Sequence, residues 1–148
     1  MTRRTLGWLL VAVQVVLIVA LLLVPHRAPF ALSLVIGVVL GLGAVGFGIA
    51  AFSTLGSALT PTPVPVDGAG LRTDGPYRLV RHPIYTAVLL LAAGFTIAVG
   101  TWWTVAALVV LAAFFIGKSR WEDRLLHERY GTEWEMWANH TGGLLPRL

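Results

Sequence analysis

Between residues 6 and 24 only one side chain, Gln14, is polar. An apolar run of that length matches the roughly 20 residues a helix needs to cross the hydrocarbon core of a bilayer. In that medium each backbone N–H and C=O must be satisfied within the segment, so the run reads as helix. A second run covers residues 30–55, and two shorter ones cover 84–99 and 103–117. With 57% hydrophobic and 12% charged residues and a mean hydropathy of +0.79, the chain is that of an integral membrane protein. The expected fold class is all-α: about four transmembrane helices, the last two a tight hairpin, followed by a C-terminal amphipathic cytoplasmic helix.

The 148 residues form one membrane domain and leave little for a soluble module. A cleavable signal peptide is the competing reading of residues 6–24. The apolar core is longer than a signal core, and no Ala-x-Ala site precedes Pro25, so a retained anchor is expected. Residues 60–83 begin with alternating prolines (Pro61, Pro63, Pro65), which remove donors and favour extended backbone, and they read as a polar linker leading into a motif. Residues 118–148 form the tail. There Trp121, Leu125, Leu126, Tyr130, Trp134 and Trp137 recur at helical spacing, Gly131 is a candidate C-cap, and Thr132 to Glu135 fits a capping box.

Lys and Arg give the orientation. Ten of them, Arg3, Arg4, Arg72, Arg78, Arg81, Lys118, Arg120, Arg124, Arg129 and Arg147, fall on one side of a four-helix model, and Arg27 alone on the other. That bias places both termini in the cytoplasm, with the protein in the cell membrane. It also accounts for the net charge of +4 without nucleic acid, for which no basic stripe or module is present. The chain has no Cys, which excludes disulfides and thiolate chemistry, and His26, His127 and His140 lack the spacing of metal ligands, so no metal is expected.

The second run is glycine-rich. Gly41-Leu42-Gly43-Ala44-Val45-Gly46 spells a dinucleotide fingerprint, but it lies inside an apolar helix with no strand before it and is rejected as a cofactor loop. Gly37 and Gly41 form a small-xxx-small pair suited to close helix packing, a candidate seam for a homo-oligomer.

Polar chemistry gathers at the start of the third run, in Gly75-Pro76-Tyr77 and Arg81-His82-Pro83-Ile84-Tyr85, and just past the fourth, at Glu122-Asp123. Ionisable groups at a membrane helix mouth are functional candidates by default. The plain alternative for Glu122 and Asp123 is a solvated helix end with local pairs such as Arg124 and Glu128.

These residues, with Leu126, Tyr130-Gly131 and Leu145-Pro146, make residues 61–146 resemble the isoprenylcysteine carboxyl methyltransferase family, which is related to phospholipid methyltransferases. The resemblance implies a membrane enzyme that binds S-adenosylmethionine at its cytoplasmic face and methylates a lipophilic acceptor reached from the bilayer. It implies a cofactor site made by Tyr77, Arg81, His82, Pro83, Tyr85, Glu122 and Tyr130. In that site Pro83 frees the backbone of Arg81 and His82 to face the cofactor, Glu122 accepts its hydrogen bonds, and the tyrosines pack on adenine or close the pocket. Arg81 and Arg120 are the candidates for holding an anionic acceptor such as a carboxylate. His82 is open between a general base and a helix cap. This chain departs from the family pattern at Asp123, where a second Glu is common, at Lys118-Ser119-Arg120, where the family has Arg-x-Arg, and at Trp134 and Trp137, where it has Tyr. Two other classes compete. A sterol-reductase-like enzyme would use NADPH, but its motif continues Arg-His-Pro-Asn-Tyr where this chain has Ile84. A non-catalytic membrane subunit would need only the glycine face.

Overall fold

In the computed structural model, residues 2–56, 60, 62, 64, 68 and 70–147 are described. Among these residues five α-helices carry the fold: α1 (Arg3–Leu23), α2 (Ala31–Leu55), α3 (Pro83–Val99), α4 (Trp102–Tyr130) and α5 (Thr132–Ala138), with a 3-10 turn at Gly75–Arg78. The expectation of an all-helical membrane protein holds. Helices α1, α2 and α4 are long and apolar enough to cross a bilayer, while α3 is apolar but has 17 residues. Pro61, Pro63, Pro65, Val66, Asp67 and Ala69 of the expected linker lie outside the described residues.

Both expected arms of the hairpin are short, and the structure lengthens only one of them. Helix α4 continues without a break through Lys118 to Tyr130, 29 residues in all. At 1.5 Å per residue it is about 43 Å long, well beyond the roughly 30 Å hydrocarbon layer. Its last turns therefore project from the bundle and carry Glu122 and Asp123 with them, instead of a separate tail helix starting at Lys118. Helix α3 gains nothing from Tyr77 to His82. Pro83 occupies its first turn, has no N–H to donate, and disfavours helical backbone at the preceding residue, where His82 sits at φ −124 and ψ 63.

The helices alternate in direction. At one end Thr101 Oγ1 donates to Pro25 O at 2.7 Å and Ser33 Oγ to Ala98 O at 3.2 Å, tying the α1–α2 loop and the start of α2 to the α3–α4 turn. The turn is closed by Thr101 N–H donating to Thr104 Oγ1 at 2.9 Å, and Trp102 stacks on Trp103. The other end holds the start of α3 and the polar turns of α4.

Small residues let α2 and α3 approach closely. A Cβ on Gly37 would stand 2.5 Å from Gly94 O and 2.8 Å from Ala98 Cβ, and one on Gly48 would stand 3.3 Å from Ala87 Cβ. Gly37 of the expected seam is thus packed against α3 of its own chain, whereas a Cβ on Gly43 or Gly46 would meet nothing within 4 Å among the described residues. The core is Leu21, Ala92, Leu111 and Phe115, with Tyr85 and Val88 packed on it. Large apolar side chains face outward, among them Val16 at 64% and Leu42 at 68% exposure, as a lipid-facing surface requires.

Gly131 ends α4 at φ 53, a left-handed conformation that a side chain would strain, and its N–H donates to His127 O at 2.8 Å. It also precedes α5 directly, so Thr132 is the first helical residue and the expected capping box from Thr132 to Glu135 does not form. Glu135 instead accepts from His127 Nε2 at 2.6 Å.

Candidate functional site

Where α4 leaves the apolar part of the bundle, Glu122 and Asp123 face the start of α3. Asp123 is the hub. Arg81 reaches it with both edges of its fork, Nε to Oδ1 at 3.3 Å and Nη2 to Oδ2 at 3.1 Å, and His82 Nε2 lies 2.9 Å from Oδ1. His82 Nδ1 lies 3.5 Å from Glu122 Oε2, the same oxygen that accepts from Tyr85 OH at 2.6 Å. The His82 and Tyr85 rings stack with 5.5 Å between centroids, and Tyr85 rests on Phe115 at 4.9 Å. The plain reading of the two acids as a solvated helix end does not describe them, and Glu128 pairs with Arg3 at 2.8 Å.

Arg81 is anchored from a second direction. Its Nη1 donates to Thr141 O at 2.6 Å and to Ala138 O at 3.3 Å, its backbone N–H to Gly142 O at 2.8 Å, and the His82 N–H to Gly143 O at 3.2 Å. Four of the five guanidinium N–H groups are therefore committed within the fold. Thr86 Oγ1 adds a bond to Leu144 O at 2.7 Å, and Trp137 Nε1 one to Tyr77 O at 3.1 Å. The segment after α5 is thus stitched to the start of α3 largely by backbone carbonyls. A Cβ on Gly142 would overlap Leu145 O, so glycine is required where the chain folds back.

His82 is 5% exposed, and its side chain makes no cap bond. Burial by itself would lower its pKa, but the hydrogen bonds and charges of Asp123 and Glu122 reverse that, and it is pushed up to about 9. An imidazole held protonated at neutral pH is a poor general base. It acts instead as a cation between two carboxylates. Its folded value exceeds its unfolded one, so its stabilisation is complete below about pH 6.5 and disappears as pH rises through about 9. The melting temperature of detergent-solubilised protein is expected to fall between pH 7 and 10, and His82→Gln to flatten that fall. An equal fall in the variant would remove His82 as its cause.

The other expected site residues divide. Tyr77 is buried, and burial followed by the charge of Glu122 raises its phenol pKa above the usual range, which places it beside the cluster as a neutral hydroxyl. Pro83 is buried at the first turn of α3, but the N–H groups of Arg81 and His82 are taken by the C-terminal segment and do not face outward. Arg120 is exposed on α4, two residues and about 200° of helix from Glu122. Tyr130 ends α4 eight residues beyond Glu122, about 12 Å along the axis.

Lys118 and Trp134, which the sequence did not mark as site residues, belong with the cluster. Lys118, one turn deeper than Glu122 on α4, is 3% exposed, lies 4.7 Å above the Tyr85 ring and donates to Gln14 of α1. Gln14 is the one polar side chain of its apolar run and Lys118 is the first charge past the fourth run, and that was the available signal. Trp134 carries Arg81 over its ring at 5.7 Å, and its indole N–H is buried with no hydrogen-bond partner among the described residues. Deeper still, past Tyr85 and Phe115, an apolar cavity of about 450 Å³ opens between α1 and α2 above α3, lined by Leu21, Gly37, Gly41, Val88, Ala92 and others.

A small all-helical membrane protein with a charged cluster at one mouth of its bundle is the class these features define. Residues 32–133 match the family model described as Phospholipid methyltransferase. The chain belongs to that family. It is also similar to proteins from Oryza sativa subsp. indica and Oryza sativa subsp. japonica, each named "Probable protein-S-isoprenylcysteine O-methyltransferase". Each is 36% identical over 77 residues, covering 51% of this chain and 40% of the rice protein. The match thus spans less than half the length of those relatives.

Proposed function

We propose that the chain is an S-adenosylmethionine-dependent methyltransferase acting at the cytoplasmic membrane face on a lipophilic acceptor. The observation that carries this reading is the meeting of Tyr85, Glu122, His82, Asp123 and Arg81 where α3 begins and α4 leaves the apolar bundle, all within the family-matched span. The cluster fits the donor: Glu122 keeps 23% of its side chain exposed for hydroxyl or ammonium groups, and the Trp134 N–H, unpaired among the described residues, is a ready donor. When bound, S-adenosylmethionine supplies an activated methyl on a sulfonium cation. The protein has to hold and orient, and to keep water out.

Glu122 is the carboxylate placed to face that cation, with Tyr85 fixing its position. Arg81 and His82 neutralise Asp123 and set the backbone. An anionic acceptor group meets Lys118, because Arg81 is committed and Arg120 points elsewhere; a protonated amine would be repelled there. The apolar cavity beyond Tyr85 and Phe115 offers room for the acceptor's hydrocarbon tail. The Lys and Arg bias supports both termini being cytoplasmic.

Saturating S-adenosylmethionine, at a hundred times its Kd, is expected to stabilise the solubilised protein by about 2.7 kcal/mol. NADPH is expected to leave the melting temperature unchanged. A shift with NADPH and none with S-adenosylmethionine would overturn the reading in favour of a reductase.

A further inference from the structure

Gln14 lies eight residues, about 12 Å of helix, inside the apolar run of α1, and its Oε1 accepts from Lys118 Nζ at 2.5 Å. Gln14 is eleven positions after Arg3, and Glu128 is ten positions after Lys118. The Arg3–Glu128 pair and the Gln14–Lys118 bond are therefore two rungs of one antiparallel helix pair, about 15 Å apart, and they fix the register of α1 against α4. The outer rung is exposed at both partners and contributes little. The inner rung is buried at Lys118, where an ammonium is expensive unless something holds it.

What holds it is chemically specific. A carboxylate at position 14 would cancel the charge, and an apolar residue would leave the ammonium without its hydrogen bond. The neutral amide satisfies a donor and leaves the positive charge in place over Tyr85, one turn below Glu122 on α4. Phe115, 5.9 Å from Nζ, offers a second ring face and no competing charge.

We infer that Gln14 is a positioning residue: it holds Lys118 as a cation over Tyr85, balanced not by Gln14 but at a distance by Glu122 one turn away on α4, sets the affinity for an anionic acceptor, and so makes α1 part of the acceptor site. The inference rests on the methyl-transfer reading above. Helix α1 lies outside the span that the family model matches.

The test uses the full chain in detergent, labelled S-adenosylmethionine, and N-acetyl-S-farnesylcysteine as a carboxylate-bearing probe. Gln14→Glu is expected to melt at or above the wild-type temperature, because its new carboxylate pairs with Lys118. It should nevertheless raise KM for the probe about tenfold or more, and leave KM for S-adenosylmethionine within twofold. Gln14→Leu should raise the probe KM as well, with a lower melting temperature. A merely structural Gln14 would not produce the split in Gln14→Glu. If that variant keeps its probe KM within twofold, or raises both KM values together, the inference is overturned while the methyl-transfer reading stands. A wild type that binds S-adenosylmethionine but does not methylate the probe overturns the anionic acceptor and the inference with it. One that binds no S-adenosylmethionine in calorimetry overturns the methyl-transfer reading itself, and the inference falls with it.

Discussion

Asp123→Ala is expected to destabilise the protein by about 3–5 kcal/mol, the usual cost of removing one partner of a buried ion pair. The carboxylate accepts from Arg81 at two positions and from His82 at a third, so its loss strands two cations in a region with little solvent access. The Arg81 and Asp123 side chains are only 19% and 16% exposed, which keeps screening small. For a chain of this size the loss corresponds to a melting temperature lower by about 10 °C. Asp123→Asn keeps an acceptor oxygen but not the charge and should fall between the two. The damage should also spread. Arg81 holds Thr141 O and Ala138 O with the same guanidinium, so hydrogen exchange at the Arg81 and His82 amides, bonded to Gly142 and Gly143, should accelerate. If Asp123→Ala melts within a degree of the wild type, this cluster is not what joins the C-terminal segment to α3.

Glu122→Gln is expected to do the reverse, sparing the fold and weakening the proposed methyl transfer. Its neighbour on α4 is the structural acid, whereas Glu122 accepts one short bond from Tyr85 and approaches His82 only at 3.5 Å. A glutamine carbonyl still accepts from Tyr85, so the melting temperature should stay within a few degrees. The negative charge is lost, and with it the proposed charge-assisted contact of about 1.5–3 kcal/mol to a cationic donor, a 10- to 150-fold effect. The Kd for S-adenosylmethionine by calorimetry and the rate of labelled methyl transfer should both register it. Wild-type affinity and rate in Glu122→Gln would show that the carboxylate charge has no part in the reaction.

The contrast between two adjacent acids shows how far sequence reasoning reaches. Their presence past an apolar run, opposite an Arg-His-Pro start, marks a site. Which one is structural depends on helix phase, since 100° per residue points them at different neighbours. The same phase explains Arg120, a candidate by charge and proximity in sequence, which α4 turns outward. Arg81 was legible as important, but the partners that commit it are the carbonyls of Ala138 and Thr141, and a carbonyl carries no residue identity to read.

Hydropathy and local chemistry sufficed for several features. The long apolar runs dictate helices because lipid offers no partner to an open backbone. Pro83 starts α3 because it lacks the N–H that an interior position requires. Gly131 ends α4 because the chain must turn through a left-handed conformation. The tertiary structure alone decided what depends on packing between segments far apart in the chain. It closed Gly37 against Gly94, brought the C-terminal carbonyls to Arg81, and met Lys118 with Gln14 across 104 positions of sequence. Each of those contacts depends on the register and rotation of two helices, and that is settled by how whole surfaces pack, which no single run of residues records.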